Sequence, residues 1–317
     1  MNTVTRGEGE GSVGASSDRG PAGAGANNVA RAGYKVVVGG VKGGPGASTI
    51  SVHLAVAFAR RGLRVLLVDG DEHSRSSARW AATRRRTAYE TAAVRLGKAV
   101  DEIETDYDLD DGITTIRQSG TGLRTEIARM APDYDLTVID LGGHDDRGQR
   151  AAMTIADAVL IPIGPSAFDC WTLEDDAWIA LEMRVVREDL PMLALLNKAE
   201  PEGGRRGAGN AKARAAIALL TGQGIRPAIS TLGLRTAYAR PLEQGLTAME
   251  IPSRNRDRVA CAEVAALADE VVALLNGEHD DYVAAWRSMR MQDVGTDLSG
   301  GTSGVGGSRN DAGGQGA

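Results

Sequence analysis

The sequence contains little that would support a secreted, disulfide-stabilised or membrane-spanning protein. Its two cysteines, Cys170 and Cys261, are too few for a disulfide framework, and we recognise no secretory signal. No apolar run approaches the ~20 residues that a membrane-spanning helix requires. Aromatic residues make up only 4% of the chain, so the core must be built from aliphatic side chains. These absences favour a cytoplasmic protein with reduced thiols.

The chain also lacks the positive charge that would attract nucleic acid to its whole surface. The net charge is −6, so any contact with nucleic acid must come from a local basic patch. Arginines cluster at 84–86, at 205–214 and again between Arg235 and Arg258. Such runs are usually solvated faces, and DNA binding through phosphate contacts is the alternative.

Composition divides the chain into three parts. Residues 1–32 are rich in Gly, Ala, Ser and Asn, and residues 291–317 have a similar composition. Neither segment carries enough large apolar residues to order itself, so we expect two disordered tails around a single domain at 33–290. An acidic segment at 101–111 fails the spacing of a calcium loop and is interpreted as a solvated loop.

Within that domain, short apolar runs alternate with segments of helical length. The runs are nearly all apolar, which is typical of strands buried on both faces of a parallel sheet. The pattern predicts an α/β doubly wound fold, with a mostly parallel sheet, helices on both faces and ligands at the carboxyl ends of the strands. Strands are predicted at 34–40, 64–69, 92–96, 135–140, 157–163 and 192–197, and helices at 48–61, 121–130, 147–156, 171–188, 208–220 and 258–275.

The stretch VVVGGVKGGPGAST, from Val36 to Thr49, has the layout of a phosphate-binding loop. A strand leads into glycines whose backbone N–H groups can converge on an anion, and a hydroxyl pair then opens a helix. The helix N-terminus adds partial positive charge. A phosphate loop normally carries lysine just before the hydroxyl residue, where this chain has Ala47.

The stretch Lys-Gly-Gly-Pro-Gly-Ala-Ser-Thr resembles the deviant Walker A loop of the ParA/MinD family of partition and positioning ATPases. Four later segments match the family in the same order: LLVDGDEHSRSSARW (66–80), YDLTVIDLGG (134–143), LALLNK (193–198) and LRTAYARPLEQGLTAMEI (234–251). The resemblance covers about 34–275 and is closest to the short partition ParA proteins. It implies a P-loop NTPase fold and binding of ATP with Mg²⁺.

The resemblance also implies a role for each matched residue. Catalytic roles fall to Asp71, which would orient the attacking water, and to Lys42, which would reach the partner subunit's nucleotide across a dimer. Asp71 as a helix cap and Asn197 as a turn residue remain alternatives. The implied nucleotide-binding residues are Lys42, Gly43, Gly44, Pro45, Gly46, Ala47, Ser48, Thr49 and Asn197; the metal ligands are Ser48, Asp69 and Asp140; the DNA-binding residues are Arg235 and Arg240.

The sequence departs from the family at three places. Ala47 removes the lysine that neutralises the phosphates, and the switch segments read DEHSR and LGGHDD where the family has Asp-Pro-Gln-Gly and a proline-rich turn. Because phosphoryl transfer rests on positioning and charge stabilisation, hydrolysis should be impaired. Ala47 could be an engineered substitution, a natural loss, or a change for which Lys42 compensates.

The resulting functional hypothesis is a ParA-like partition ATPase. It would bind MgATP, form a homodimer around two nucleotides, bind DNA non-specifically on the nucleoid and respond to a ParB-like centromere-binding adaptor; higher assembly is left open and no membrane contact is expected. The alternatives are a pseudo-ATPase scaffold and a ParA/MinD-like positioner of another cargo.

Overall fold

The computed structural model describes residues 33–39, 46–106, 110–142, 146–165, 182, 184–201 and 207–288. The two predicted tails lie outside these residues, as do positions 40–45 of the phosphate loop. The extent of the predicted domain, 33–290, therefore stays a prediction.

Within the described residues, seven strands form one sheet in which every pairing is parallel. The strand order is β3-β2-β4-β1-β5-β6-β7, with the first strand in the middle, which confirms the doubly wound prediction. The strands are β1 (Tyr34–Val38), β2 (Val65–Asp69), β3 (Ile113–Arg117), β4 (Leu136–Asp140), β5 (Ala158–Ile163), β6 (Met192–Ala199) and β7 (Arg226–Gly233).

Helices cover both faces of the sheet and bury two separate apolar clusters. In β1, Val36 and Val38 pack into one cluster with Phe58, whereas Val37 packs into the other with Ile127. The alternation follows from the two-residue period of a strand. The helices are α1 (Ala47–Ala59), α2 (Ser76–Leu96), α3 (Val100–Asp106), α4 (Leu123–Met130), α5 (Asp146–Met153), α6 (Gly207–Gly222) and α7 (Arg258–Leu275), with a short helix at Thr236–Ala239 and further helical residues at 184–186 and 279–288.

The structure contains most of the predicted helices and strands, and one predicted strand is wrong. The strand expected at 92–96 is the last turn of α2, where Ala93 is buried and Val94 is 86% exposed. Two strands, β3 and β7, are absent from the prediction. The helix predicted at 171–188 lies largely outside the described residues; within it, residues 182 and 184–186 are helical.

The acidic segment 101–111 is partly structured. Its first six residues belong to α3, residues 107–109 lie outside the described part, and Asp111 binds Arg84 of α2. Arg84 also reaches Glu250, at 2.8 Å, and its guanidinium lies over the Trp80 ring. Arg84, which belongs to one of the basic runs of the sequence, therefore joins α2 to two acidic loops.

Candidate nucleotide-binding site

The end of the predicted phosphate loop leads directly into α1. Gly46 has a left-handed backbone (φ 96°), a conformation that glycine adopts without strain. Its carbonyl accepts a hydrogen bond from Ile50 N at 3.0 Å, so the helix begins at Ala47. Ser48 and Thr49 therefore lie in the first turn, where unsatisfied N–H groups favour an anion.

Four of the predicted loop residues are not described. Lys42, Gly43, Gly44 and Pro45 lie between β1 and Gly46, at positions outside the described residues. Their assignment to the nucleotide, and the catalytic role of Lys42, stay predictions.

The structure brings the two predicted metal-binding aspartates together. Asp69 ends β2 and Asp140 ends β4, and the two residues are paired in register on adjacent parallel strands. Both are almost completely buried. Two carboxylates held side by side away from water repel each other and favour a cation or a proton between them.

Asp140 is the most perturbed of these acids. Burial raises its pKa to about 7, the hydroxyls of Ser77 and Ser48 oppose that shift, and the charges of Asp69 and Asp71 add to it. Ser77 donates to Oδ2 at 2.5 Å. Among the described residues, Oδ1 has no hydrogen-bond partner although it is shielded from solvent. A buried carboxylate oxygen without a donor calls for a partner, and a water molecule, a proton or a cation can supply it.

Asp69 is engaged by the backbone that follows it. Its Oδ1 accepts from Asp71 N at 3.1 Å and its Oδ2 from Ala78 N at 2.7 Å. Burial raises the pKa of Asp69, and these two donors oppose the shift. Asp69 thereby fixes the loop between β2 and α2 against the end of the sheet, and a role toward metal stays a prediction.

Asp71 organises the turn in which it lies. Its Oδ1 accepts from the backbone N–H groups of His73 (2.8 Å) and Ser74 (3.0 Å), and the Ser74 hydroxyl donates to Oδ2 at 2.5 Å. Partial burial raises the pKa of Asp71, but these hydrogen bonds prevail and hold it below the ordinary value. These donors lie in the turn before α2, whose N-cap residue is Arg75, so Asp71 does not cap the helix. The catalytic role of Asp71 stays a prediction.

The segment after β4 approaches Asp71 closely. A Cβ added to Gly142 would lie 2.8 Å from Asp71 Cβ, so only glycine allows the two loops to meet. The buried side chain of Gln149, in α5, donates to the Gly142 carbonyl at 2.8 Å. The two predicted switch segments are therefore in contact.

Asn197 lies beside the start of α1, and its contact with the nucleotide base stays a prediction. It is 5% exposed, and its Nδ2 is 2.5 Å from the position that a Cβ on Gly46 would occupy. Asn197 and Thr49 line a cavity of about 120 Å³. The exposed surface of the cavity wall is mainly apolar.

The two predicted DNA-binding arginines differ in environment. Arg235 lines the same cavity, and its guanidinium forms an ion pair with Glu263 at 2.9 Å and lies 3.7 Å from Asp257. Arg240 is exposed. DNA binding by either residue stays a prediction.

Three residues at this site were missed by sequence reasoning. Ser77 holds Asp140, Lys198 lines the cavity beside Asn197, and His53 lies beneath it. His53 Nδ1 lies 2.7 Å from the Thr49 carbonyl, and the amide of Ala248 donates to Nε2 at 3.3 Å. Their positions depend on strand register and helix packing, although Ser77 and Lys198 fall within the quoted motif segments.

None of the described helices is long and apolar enough to cross a membrane. The described part of the chain holds no group of three or more His, Cys, Asp or Glu side chains placed to bind a metal.

The fold defines an α/β doubly wound protein with two buried aspartates at the carboxyl ends of adjacent strands. The family described as ATPase MipZ matches residues 34–178. Maintenance of carboxysome distribution protein A from Halothiobacillus neapolitanus is 22% identical over 240 residues, which cover 75% of this chain and 96% of that protein. Protein IncC from Escherichia coli is 25% identical over 249 residues, which cover 73% of this chain and 66% of that protein.

A solved structure agrees with the fold. The septum site-determining protein MinD from Pyrococcus horikoshii, complexed with Mg-ADP, is 18% identical and superposes with a TM-score of 0.52. The match covers 75% of this chain and 95% of that chain. The predicted resemblance to ParA/MinD-type ATPases is thus confirmed.

Proposed function

We propose that this chain binds MgATP at the start of α1 and acts as a ParA-like partition ATPase. The observation that carries the proposal is the meeting of Asp140 with Ser48: a buried carboxylate with an unpartnered oxygen lies beside the first turn of the helix that follows the phosphate loop. A cation that bridges this carboxylate and a phosphate would satisfy both groups.

The residues present fit a magnesium ion. Ser48 and Asp140 would hold it, with Asp69 behind them, and all three supply the oxygen ligands that Mg²⁺ prefers. When bound, the ion would neutralise charge on the phosphates. The residues of this chain would do the remainder: the N–H groups of the first turn of α1 would orient the phosphates, and Asn197 would contact the adenine in the adjoining cavity.

The same proposal includes dimerisation and DNA binding. Its support is the resemblance to ParA proteins, together with the exposed Arg240 close to the cavity. A homodimer around two nucleotides would bind DNA non-specifically and release it when a ParB-like adaptor acts. Salt should weaken that binding, because phosphate contacts release counterions.

A second function is favoured by a specific relative. The protein from Halothiobacillus neapolitanus is named for the maintenance of carboxysome distribution, so a positioner of a cargo other than DNA is the alternative. Ala47 favours a further alternative, a pseudo-ATPase scaffold that binds nucleotide without turnover. In every case the nucleotide site is the same.

The test is a comparison of oligomeric state and DNA binding with and without MgATP. Light scattering should show a monomer that becomes a dimer with MgATP, and the dimer should bind DNA of unrelated sequences at low salt. An Arg240→Ala variant should still dimerise but bind DNA more weakly; Arg124→Ala serves as the control at an exposed arginine outside the basic runs. Nucleotide-driven dimers without DNA binding would favour another cargo. The absence of both dimerisation and DNA binding would contradict the proposal.

A further inference from the structure

Strand β6 contains an irregularity where it passes the nucleotide site. Between two paired positions, β6 advances three residues, from Leu196 to Ala199, while β7 advances two, from Thr231 to Gly233. One extra residue in β6 makes a bulge, a feature that re-aims side chains and is common beside functional sites.

The bulge contains Lys198, whose backbone is left-handed (φ 55°). Few residues other than glycine, asparagine and aspartate adopt this conformation, and for lysine it is unfavourable. The surrounding structure must hold this backbone conformation in place, and such strained conformations cluster at functional sites.

The side chain of Lys198 extends past the start of α1. Lys198 Cε lies 3.7 Å from the position that a Cβ on Gly46 would occupy, and Lys198 lines the cavity together with Thr49. The ammonium nitrogen is one bond beyond Cε. The positive charge of Lys198 is therefore near the N–H groups where the phosphates are proposed to bind.

The aspartates of the site make a nearby positive charge favourable for the binding of phosphates. Three aspartates, Asp69, Asp71 and Asp140, end or follow the strands beside the start of α1, and Ala47 provides no cation. Two described cationic side chains line the cavity. Arg235 pairs with Glu263, and the side chain of Lys198 passes the start of α1.

We propose that Lys198 supplies, from the bulge of β6, the positive charge to the nucleotide phosphates that Ala47 does not provide. This inference rests on the proposed nucleotide site and adds a binding residue to it. A charge from strand β6 takes the place of the charge from the loop, so MgATP binding survives without the usual lysine.

The test is a double-mutant cycle with fluorescent ATP and Mg²⁺. Lys198→Met keeps the length of the side chain and removes its charge, Lys198→Arg keeps the charge, and Lys212→Met removes a charge from the exposed face of α6. In the present chain, Lys198→Met should raise Kd about 10- to 100-fold, the range for one charge-assisted contact, whereas the other two variants should change it little. Adding Ala47→Lys should shrink the effect of Lys198→Met severalfold, because the two charges replace each other.

The outcomes separate this inference from the proposed function. If Lys198→Met binds MgATP as well as the present chain does, or loses the same factor in the Ala47→Lys background, Lys198 supports the loop without supplying charge and the inference is wrong. The inference also fails if only chains carrying Ala47→Lys bind MgATP, although the nucleotide site then stands. If no variant binds, including Ala47→Lys, the proposed function itself fails and the inference with it. Circular dichroism of each variant verifies that it is folded.

Discussion

Asp140 accepts a buried hydrogen bond from a serine at the candidate site. Ser77 is fully buried and donates to Asp140 Oδ2, while the neighbouring Ser76 is exposed. The two serines are adjacent at the start of α2, so a comparison between them isolates the effect of the buried contact.

We expect Ser77→Ala to destabilise the fold by about 1–3 kcal/mol, the range for leaving a buried acceptor without its donor. Ser76→Ala should change stability by less than about 0.5 kcal/mol, since it lies at the surface. Urea unfolding of both variants measures the difference. Equal stabilities would mean that Ser77 does not hold Asp140.

His53 is a second buried polar residue with a measurable consequence. Burial lowers its pKa to about 4, despite the Thr49 carbonyl and the charge of Glu250, which act in the opposite direction. The neutral ring donates from Nδ1 to Thr49 and accepts at Nε2 from Ala248, so it links α1 to the segment beyond the short helix.

A histidine whose folded pKa is depressed contributes full stability above its unfolded pKa, 6.5. That stability is lost as the pH falls from 6.5 towards 4, because the unfolded chain takes up the proton first. The loss from His53 should reach about 2 kcal/mol between pH 7 and pH 5, at 1.36 kcal/mol per pKa unit. Unfolding measured across this range should be less pH-dependent in His53→Gln; identical pH profiles would refute the assignment.

At the scale of elements, a close approach between α2 and the loop after the short helix holds two distant parts of the chain together. Gly245 is left-handed (φ 68°), and a Cβ there would lie 2.8 Å from Arg84 Cβ, with the Arg84 backbone closer still. Gly97, at the end of α2, is also left-handed (φ 65°) but has no atom within 4 Å of its Cβ position. The two glycines share the backbone requirement and differ only in packing.

Gly97→Ala should therefore cost about 1–2 kcal/mol, the strain of a left-handed alanine. Gly245→Ala should cost at least about 1–3 kcal/mol more, because backbone atoms of α2 must move. Thermal unfolding of the two variants compares them directly. A similar loss in both would show that the approach of α2 to Gly245 is loose.

The elements also show how far the sequence predicts this fold. The buried strands are nearly all apolar, so the sequence pattern identifies them as strands, as in β4 and β5. The missed strands, β3 and β7, lie at the two edges of the sheet and carry polar, partly exposed residues. The run at 92–96 resembles a strand because it is short and apolar, but alanine, leucine and arginine all favour helix.

The candidate site is predictable only where motif residues follow a strand. Asp69 and Asp140 each end an apolar strand, so parallel pairing brings them together. The bulge at Lys198 and the packing of Gly142 against Asp71 depend on contacts between segments far apart in sequence. No local pattern encodes those contacts.

At the scale of the whole molecule, we expect Ala47 to limit the turnover of nucleotide. Restoring the loop lysine with Ala47→Lys should raise the rate of phosphate release about 10²–10³-fold, the range for one preorganised charge on the transition state. Phosphate release at saturating MgATP measures it, with Ala47→Met as a control for side-chain size. A rate that stays at background would indicate that the unusual switch segments, and not Ala47, prevent turnover.

The most direct test of the account is calorimetric titration of the chain with ATP, with and without Mg²⁺, alongside Asp140→Asn. We predict saturable binding that requires Mg²⁺, is reversed by a chelator and weakens at least about tenfold in Asp140→Asn, since a neutral amide is a poorer magnesium ligand. Binding that ignores both Mg²⁺ and Asp140, or no binding even after Ala47→Lys, would contradict the claim that the end of β4 and the start of α1 form a magnesium-nucleotide site.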